Sequence, residues 1–162
     1  MTEAAKFNPD AIDLKILRLL QEDGRITIQA LADKVGLSPS PCLRRVRLLE
    51  EAKVITRYVA MLDQTKVSLP VSVFISIKLE HQREDHLDAF AKAIEHWPEV
   101  LECYLMTGQR DYLMRVVVAD LAAYERFIKE KLTRVNGVSS IESSFALSQI
   151  KYTNVLPLAG SR

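Results

Sequence analysis

The sequence predicts an α+β protein in two parts. Three observations carry that prediction. From Asp10 to Ala52 the apolar residues recur only at helical spacing. From Val71 to Leu79 they alternate strictly, which is strand spacing with one buried face. Beyond Pro70 the elements run strand, helix, strand, strand, helix, strand. The boundary is placed in the polar stretch Asp63–Pro70, giving domains at 1–62 and 63–162.

The first domain opens with a loose leader, Met1–Pro9. Ile12, Ile16, Leu17 and Leu20 then form a stripe, with Asp10 placed to cap the helix and Asp23-Gly24 to stop it. A second helix starts at Thr27 as N-cap, and Ile26 and Leu31 sit where a hydrophobic staple would pack. Its inner face is Ile28, Leu31, Ala32 and Val35. Gly36 follows at C′, where a left-handed backbone suits glycine. The third helix starts at Ser38, with Pro39 at N1 and Pro41 at N3. Two missing N–H groups there leave the Ser38 hydroxyl only that of Ser40 to cap. Cys42, Leu43, Val46 and Leu49 share the inner face; Ser40, Arg44 and Arg47 lie opposite, with Arg45 on the flank. Two helices joined by a glycine turn, the second basic on its outer side, outline a helix-turn-helix able to enter DNA. Val54–Leu62 reads as a short strand or linker, so the motif is expected to be of the winged type.

In the second domain Val71–Leu79 is the first strand. Leu87, Phe90, Ile94 and Trp97 mark a helix that Pro98 ends. Val100–Thr107 and Tyr112–Val118 form a hairpin around Gly108-Gln109-Arg110-Asp111. Asp120 caps a helix carrying Leu121, Tyr124, Ile128, Leu132 and Val135 inward, stopped by Asn136-Gly137. Val138–Ile150 is a last, long strand. Two helices on one face of a four-stranded antiparallel sheet is the ferredoxin-like βαββαβ arrangement. Tyr104, Met106, Tyr112 and Met114 are assigned to the other face. That is too much apolar surface for open water, and it predicts cover by a second copy.

The bulk numbers exclude more than they assign. With 162 residues, 48% of them apolar, the chain can pack a core without staples. Lys and Arg number 22 against 21 Asp and Glu, a net +1, so any DNA contact must come from local clustering. Cys42 and Cys103 have neither CxxC nor metal-ligand spacing and fit a reducing cytosol. No signal peptide opens the chain and no apolar run reaches membrane-spanning length; the expected location is the cytoplasm, at the nucleoid. His81 and His86 read as solvated residues, and none of His81, His86 and His96 joins a triad. No nucleophile elbow, P-loop or H-E-x-x-H is present, so neither a catalytic residue nor a metal or cofactor is expected.

Two candidate sites remain. Arg44 and Arg47 offer planar donors matching the O6 and N7 of guanine, while Ser38 and Ser40 can donate to phosphate at a helix N-terminus. Arg45 and Lys34 join them as DNA contacts, and Arg57 is a further backbone candidate. The second site is the turn Thr107, Gly108, Asp111 and Tyr112. Free N–H groups around its glycine can hold a carboxylate, the Asp111 side chain can accept from an ammonium, and Leu105 with Met106 can line an aliphatic side chain. Glycine and aspartate are also ordinary turn residues.

The runs IDLKILRLLQEDGRIT and LADKVGLSPSPCLRRVRLLEE, with LMTGQRDYLMRVVVADLAAYERF and SSFALSQIKYTNVLPL, resemble the Lrp/AsnC, or feast/famine, family of transcriptional regulators. The resemblance covers about Asp10 to Leu158. It implies an amino-acid-tuned regulator of amino-acid metabolism. The effector, leucine, methionine, cysteine or similar, would bind at the turn between subunits, with Ser144 near it. It also implies homodimers assembling to octamers. The competing readings are an architectural DNA-wrapping protein with little sequence choice, and an amino-acid enzyme with an incidental helix-turn-helix.

Overall fold

The structure, a computed structural model, describes residues 8–81 and 84–158, with the backbone alone at 84–86. Most of the expected leader and the side chain of His86 lie outside the described residues. The chain divides into two compact units. One joins the N-terminal part through Met61 to the segment from Lys151 onward; the other is Leu62–Ile150.

The first unit is built on α1 (Ala11–Glu22), α2 (Ile28–Val35) and α3 (Pro39–Glu51). Asp10 caps α1 as the sequence predicts, its carboxylate accepting the N–H groups of Ile12 and Asp13 at 2.9 Å each. The Asp13 carboxylate returns the favour at the Asp10 N–H, 3.1 Å away, completing a capping box. Arg45 reaches back from α3 to the same pair, 2.7 Å from Asp10 Oδ2 and 2.8 Å from Asp13 Oδ1. The guanidinium therefore fastens the middle of α3 to the start of α1.

The N–H of Asp13 and then the Arg45 guanidinium hold the Asp10 carboxyl below its ordinary 3.8. A depressed carboxyl contributes stability that is full above the unfolded value and is lost as pH falls through the folded one. This part of the tie is thus intact at neutral pH and goes only below about 3.8. Replacing Arg45 with alanine leaves Asp13, 10% exposed at its side chain, with one partner fewer. Arg45→Ala is expected to cost about 1 kcal/mol in urea unfolding followed by circular dichroism. An unchanged midpoint would show that the tie contributes nothing.

Thr27 Oγ1 accepts the Ala30 N–H at 3.2 Å to start α2. Gly36, at φ +77°, ends it in the left-handed region. Ser38 differs from expectation: its backbone is extended as an N-cap requires, but its side chain makes no capping bond. Pro41, at N3, has removed one of the two N–H groups such a bond would use, leaving only that of Ser40. The core is Ile16, Leu31, Ala32, Cys42 and Leu49, all fully buried, with Leu17, Val35 and Val46.

Val54–Leu62 forms no strand in the described chain and serves as a linker. Tyr58 folds back, its ring against Gly24 and its hydroxyl donating to Glu50 at 3.1 Å. Burial, then Glu50, push its phenol up to about 12. The sequence reading put the C-terminal tail with the second domain. The structure instead returns it to the first unit. The Gln21 side chain accepts the Leu156 N–H at 2.6 Å and donates to the Leu156 carbonyl at 3.4 Å. Leu158 packs against the helical core. A groove of about 700 Å³ runs here, bordered by Leu17, Leu20, Tyr58, Met61 and Leu156.

The second unit has the order β1 (Val71–Leu79), α4 (Glu84–Ile94), β2 (Val100–Leu105), β3 (Tyr112–Val118), α5 (Leu121–Glu130), β4 (Val138–Phe145). Its antiparallel sheet runs β2-β3-β1-β4, the predicted ferredoxin-like topology. Asp120 caps α5 through the Ala123 N–H. Leu132 reaches the core from a 3₁₀ turn rather than from the helix. β4 is shorter than expected. Its last bond is Ala146 N–H to the Ser72 carbonyl, and beyond Val71 the neighbouring strand gives way to Pro70, which has no N–H.

The register corrects the assignment of sheet faces. Val73, Ile75, Ile77 and Leu79 of β1 face the helices together with Tyr112, Met114, Val116 and Val118 of β3. Tyr112 and Met114 are therefore core residues, and the Tyr112 ring stacks on Phe90 at 4.4 Å. The uncovered face carries Phe74 and Tyr104, 40% and 54% exposed, beside the Arg115–Glu102 ion pair.

Candidate nucleic-acid interface and effector turn

The outer face of α3 is assembled by what its inner face buries. Cys42, Val46 and Leu49 point into the core, and helical geometry turns Arg44 and Arg47 outward, both exposed. Ser38 and Ser40 are exposed at the start of the same helix, and Lys34 at the end of α2. These five predicted DNA contacts are thus presented to solvent by the helical unit. Arg45 is not one of them in the same sense, because its charge is spent on Asp10 and Asp13. Asp10, the N-cap of α1, and Asp13 in its first turn lie 35 and 32 positions from Arg45, so nothing local signals this tie. Arg57 is exposed on the linker.

The turn between β2 and β3 is closed by the Met106 N–H donating to the Asp111 carbonyl at 2.8 Å. Gly108 sits at φ +114°, which explains glycine there although a Cβ would meet nothing within 4 Å. Leu105, Met106, Thr107 and Gly108 are exposed. Among the described residues the N–H groups of Gly108, Gln109 and Arg110 have no hydrogen-bond partner.

Asp111 corrects the sequence reading. It is 3% exposed. Its N–H donates to the Ile77 carbonyl at 2.8 Å, and its carboxylate accepts the Leu79 N–H at 2.6 Å. The side chain finishes β1 where the ladder shifts at Lys78/Leu79, instead of facing a ligand. Tyr112 likewise points to the helices, donating its hydroxyl proton to the Leu87 carbonyl at 3.2 Å. Ser144 pairs with Phe74, three residues along β1 from Ile77, the partner of Tyr112. At strand spacing that is roughly 10 Å from the turn. Within one chain these seven residues do not form one pocket.

Two side chains that sequence reasoning passed over do meet the turn. Arg110 extends across the uncovered face to β4, donating to Ser140 Oγ at 3.0 Å and to Glu142 Oε2 at 2.6 Å. A register for β4 would have found them, since Ser140 and Glu142 share the parity of Ser144.

Among the described residues no group of His, Cys, Asp and Glu is placed to hold a metal ion. Burial pushes the Cys103 thiol up to about 11 and raises that of Cys42, so both are protonated at neutral pH. No described helix is long and apolar enough to cross a membrane.

Comparison with known proteins agrees with both units. Residues 9–56 match the winged helix-turn-helix DNA-binding family and residues 72–156 the Lrp/AsnC ligand binding domain. The Bkd operon transcriptional regulator of Pseudomonas aeruginosa is 50% identical, over 92% of this chain and 97% of its own length. The DNA-binding transcriptional activator DecR of Escherichia coli is 42% identical, over 92% and 98%. A transcriptional regulator of Neisseria meningitidis, crystallised as its L-Met complex, is 41% identical with a TM-score of 0.89, covering 94% of this chain and 98% of that one. An AsnC family transcriptional regulator from Agrobacterium tumefaciens is 46% identical with a TM-score of 0.87, over 92% and 97%. With helical unit and sheet unit both accounted for, the chain belongs to the Lrp/AsnC family, a family of transcriptional regulators and not of enzymes.

Proposed function

We propose that the protein is a sequence-specific regulator of genes of amino-acid metabolism, tuned by a small amino acid bound at the turn between copies of its sheet unit. The observation that carries DNA reading is the exposed face Ser38, Ser40, Arg44 and Arg47, held rigid from behind by the Arg45 tie. Support for an amino-acid effector comes from the L-Met complex of the Neisseria relative and from the free N–H groups around Gly108. Leucine, methionine and cysteine are the first candidates. Phe74 and Tyr104 on the uncovered face favour a homodimer built sheet to sheet. Dimers assembling to an octamer would bring turns from several copies together, which accommodates Ser144 lying far from the turn of its own chain. Such a protein works in the cytoplasm, on the nucleoid.

In this mechanism the dimer spaces two α3 helices for half-sites on one face of the duplex. Effector binding shifts how dimers associate. The coupling is reciprocal and of about 1–3 kcal/mol. The test is selection from a random duplex library at fixed salt. Enrichment of a two-fold symmetric sequence is expected. Retention of all sequences alike would instead favour an architectural, DNA-wrapping protein.

A further inference from the structure

The burial of Asp111 removes the acceptor first assigned to an effector's ammonium. It leaves open which groups at this turn meet the two charges of an amino acid. Arg110 and Glu142 are the side chains that fit. Arg110 starts from the turn itself and its guanidinium reaches β4, 2.6 Å from Glu142 Oε2, with Ser140 Oγ at 3.0 Å. Their side chains are 38% and 61% exposed, so both remain open to solvent. An exposed pair of this kind is held weakly and exchanges partners at little cost.

We propose that this ion pair is the zwitterion clamp of the effector site. A free amino acid carries its carboxylate and ammonium on one carbon. It can enter between the two side chains, give its carboxylate to Arg110 and its ammonium to Glu142, and restore both charge pairs. Arg110 suits a carboxylate because its fork donates two parallel bonds. The N–H groups of Gly108 and Gln109, without partners among the described residues, lie in the same turn and add donors for the carboxylate. Exposed Met106, on the other arm of the hairpin, offers apolar surface to the side chain, whereas Leu105, paired with Tyr112, belongs to the helix side of the sheet. Both charges are then read, so the clamp selects free amino acids over peptides, amides and N-acylated forms.

The clamp rests on the amino-acid reading above, and the experiment separates the two. Calorimetric titrations of wild type, Arg110→Gln and Glu142→Gln use L-methionine, L-leucine and L-cysteine, with their N-acetyl and carboxamide derivatives. Wild type is expected to bind at least one free amino acid about tenfold or more tighter than either derivative. Glu142→Gln should weaken the free amino acid and lose the discrimination against its N-acetyl form alone. Arg110→Gln should lose the discrimination against the carboxamide alone. A merely structural pair would weaken all three forms together, and that result overturns the clamp. So do variants that titrate like wild type, which leave the effector reading standing. Wild type that binds none of the three overturns both.

Discussion

Replacing Arg44 and Arg47 together with alanine is expected to abolish specific DNA binding while the helical unit stays folded. Both side chains are exposed and neither makes an ion pair among the described residues, so their removal leaves no buried partner behind. The core below them, Cys42, Val46 and Leu49, is untouched. Each arginine that reads a guanine should be worth about 1–3 kcal/mol, and its loss should relax the preference at one base position. One that contacts only phosphate should instead weaken all duplexes alike and lower the salt slope by about one. Fluorescence anisotropy of the single and double variants at several salt concentrations distinguishes these cases. A double variant that binds like wild type would mean that α3 does not enter the groove.

Asp111→Ala is expected to destabilise the sheet unit by about 2–3 kcal/mol, because the buried Leu79 N–H loses its carboxylate acceptor. Asp111→Asn keeps an acceptor oxygen and should lose less. Trp97 is the sole tryptophan of the chain, and it packs edge-on to Phe127 within this unit. Its fluorescence in a urea titration therefore follows the sheet unit apart from the helices. Loss of effector response in Asp111→Ala would then reflect a frayed β1 end rather than a missing ligand contact. An unchanged Trp97 midpoint would return Asp111 to the list of effector contacts.

Local signals carried most of the fold. Caps such as Asp10, Thr27 and Asp120 act within three residues, and Gly36 acts through its own dihedral, so each could be read where it stands. The β-α-β-β-α-β order followed from periodicity for the same reason. The errors needed partners distant in sequence. Tyr112 and Met114 are apolar on either face, and only the register with Ile77 and Ile75 says which face they take. Asp111 looked like a turn residue because its acceptor role depends on Leu79, 32 positions away. Arg45 looks like a third DNA contact because its partner Asp13 is equally 32 positions away. The tail's return to Gln21 spans 135 positions, and nothing local announces that partner either.

That returning tail has a consequence for biosynthesis. Gln21 and Leu156 are separated by 135 positions. A ribosome adding about 5–20 residues per second makes α1 to α3 on the order of ten seconds before Leu158 is available. Throughout that interval the nascent helices carry a notch in their core where the final leucine belongs. The DNA-reading half of the molecule is begun first and finished last, so a polypeptide released prematurely lacks a piece of the reader even when every one of its helices has been translated.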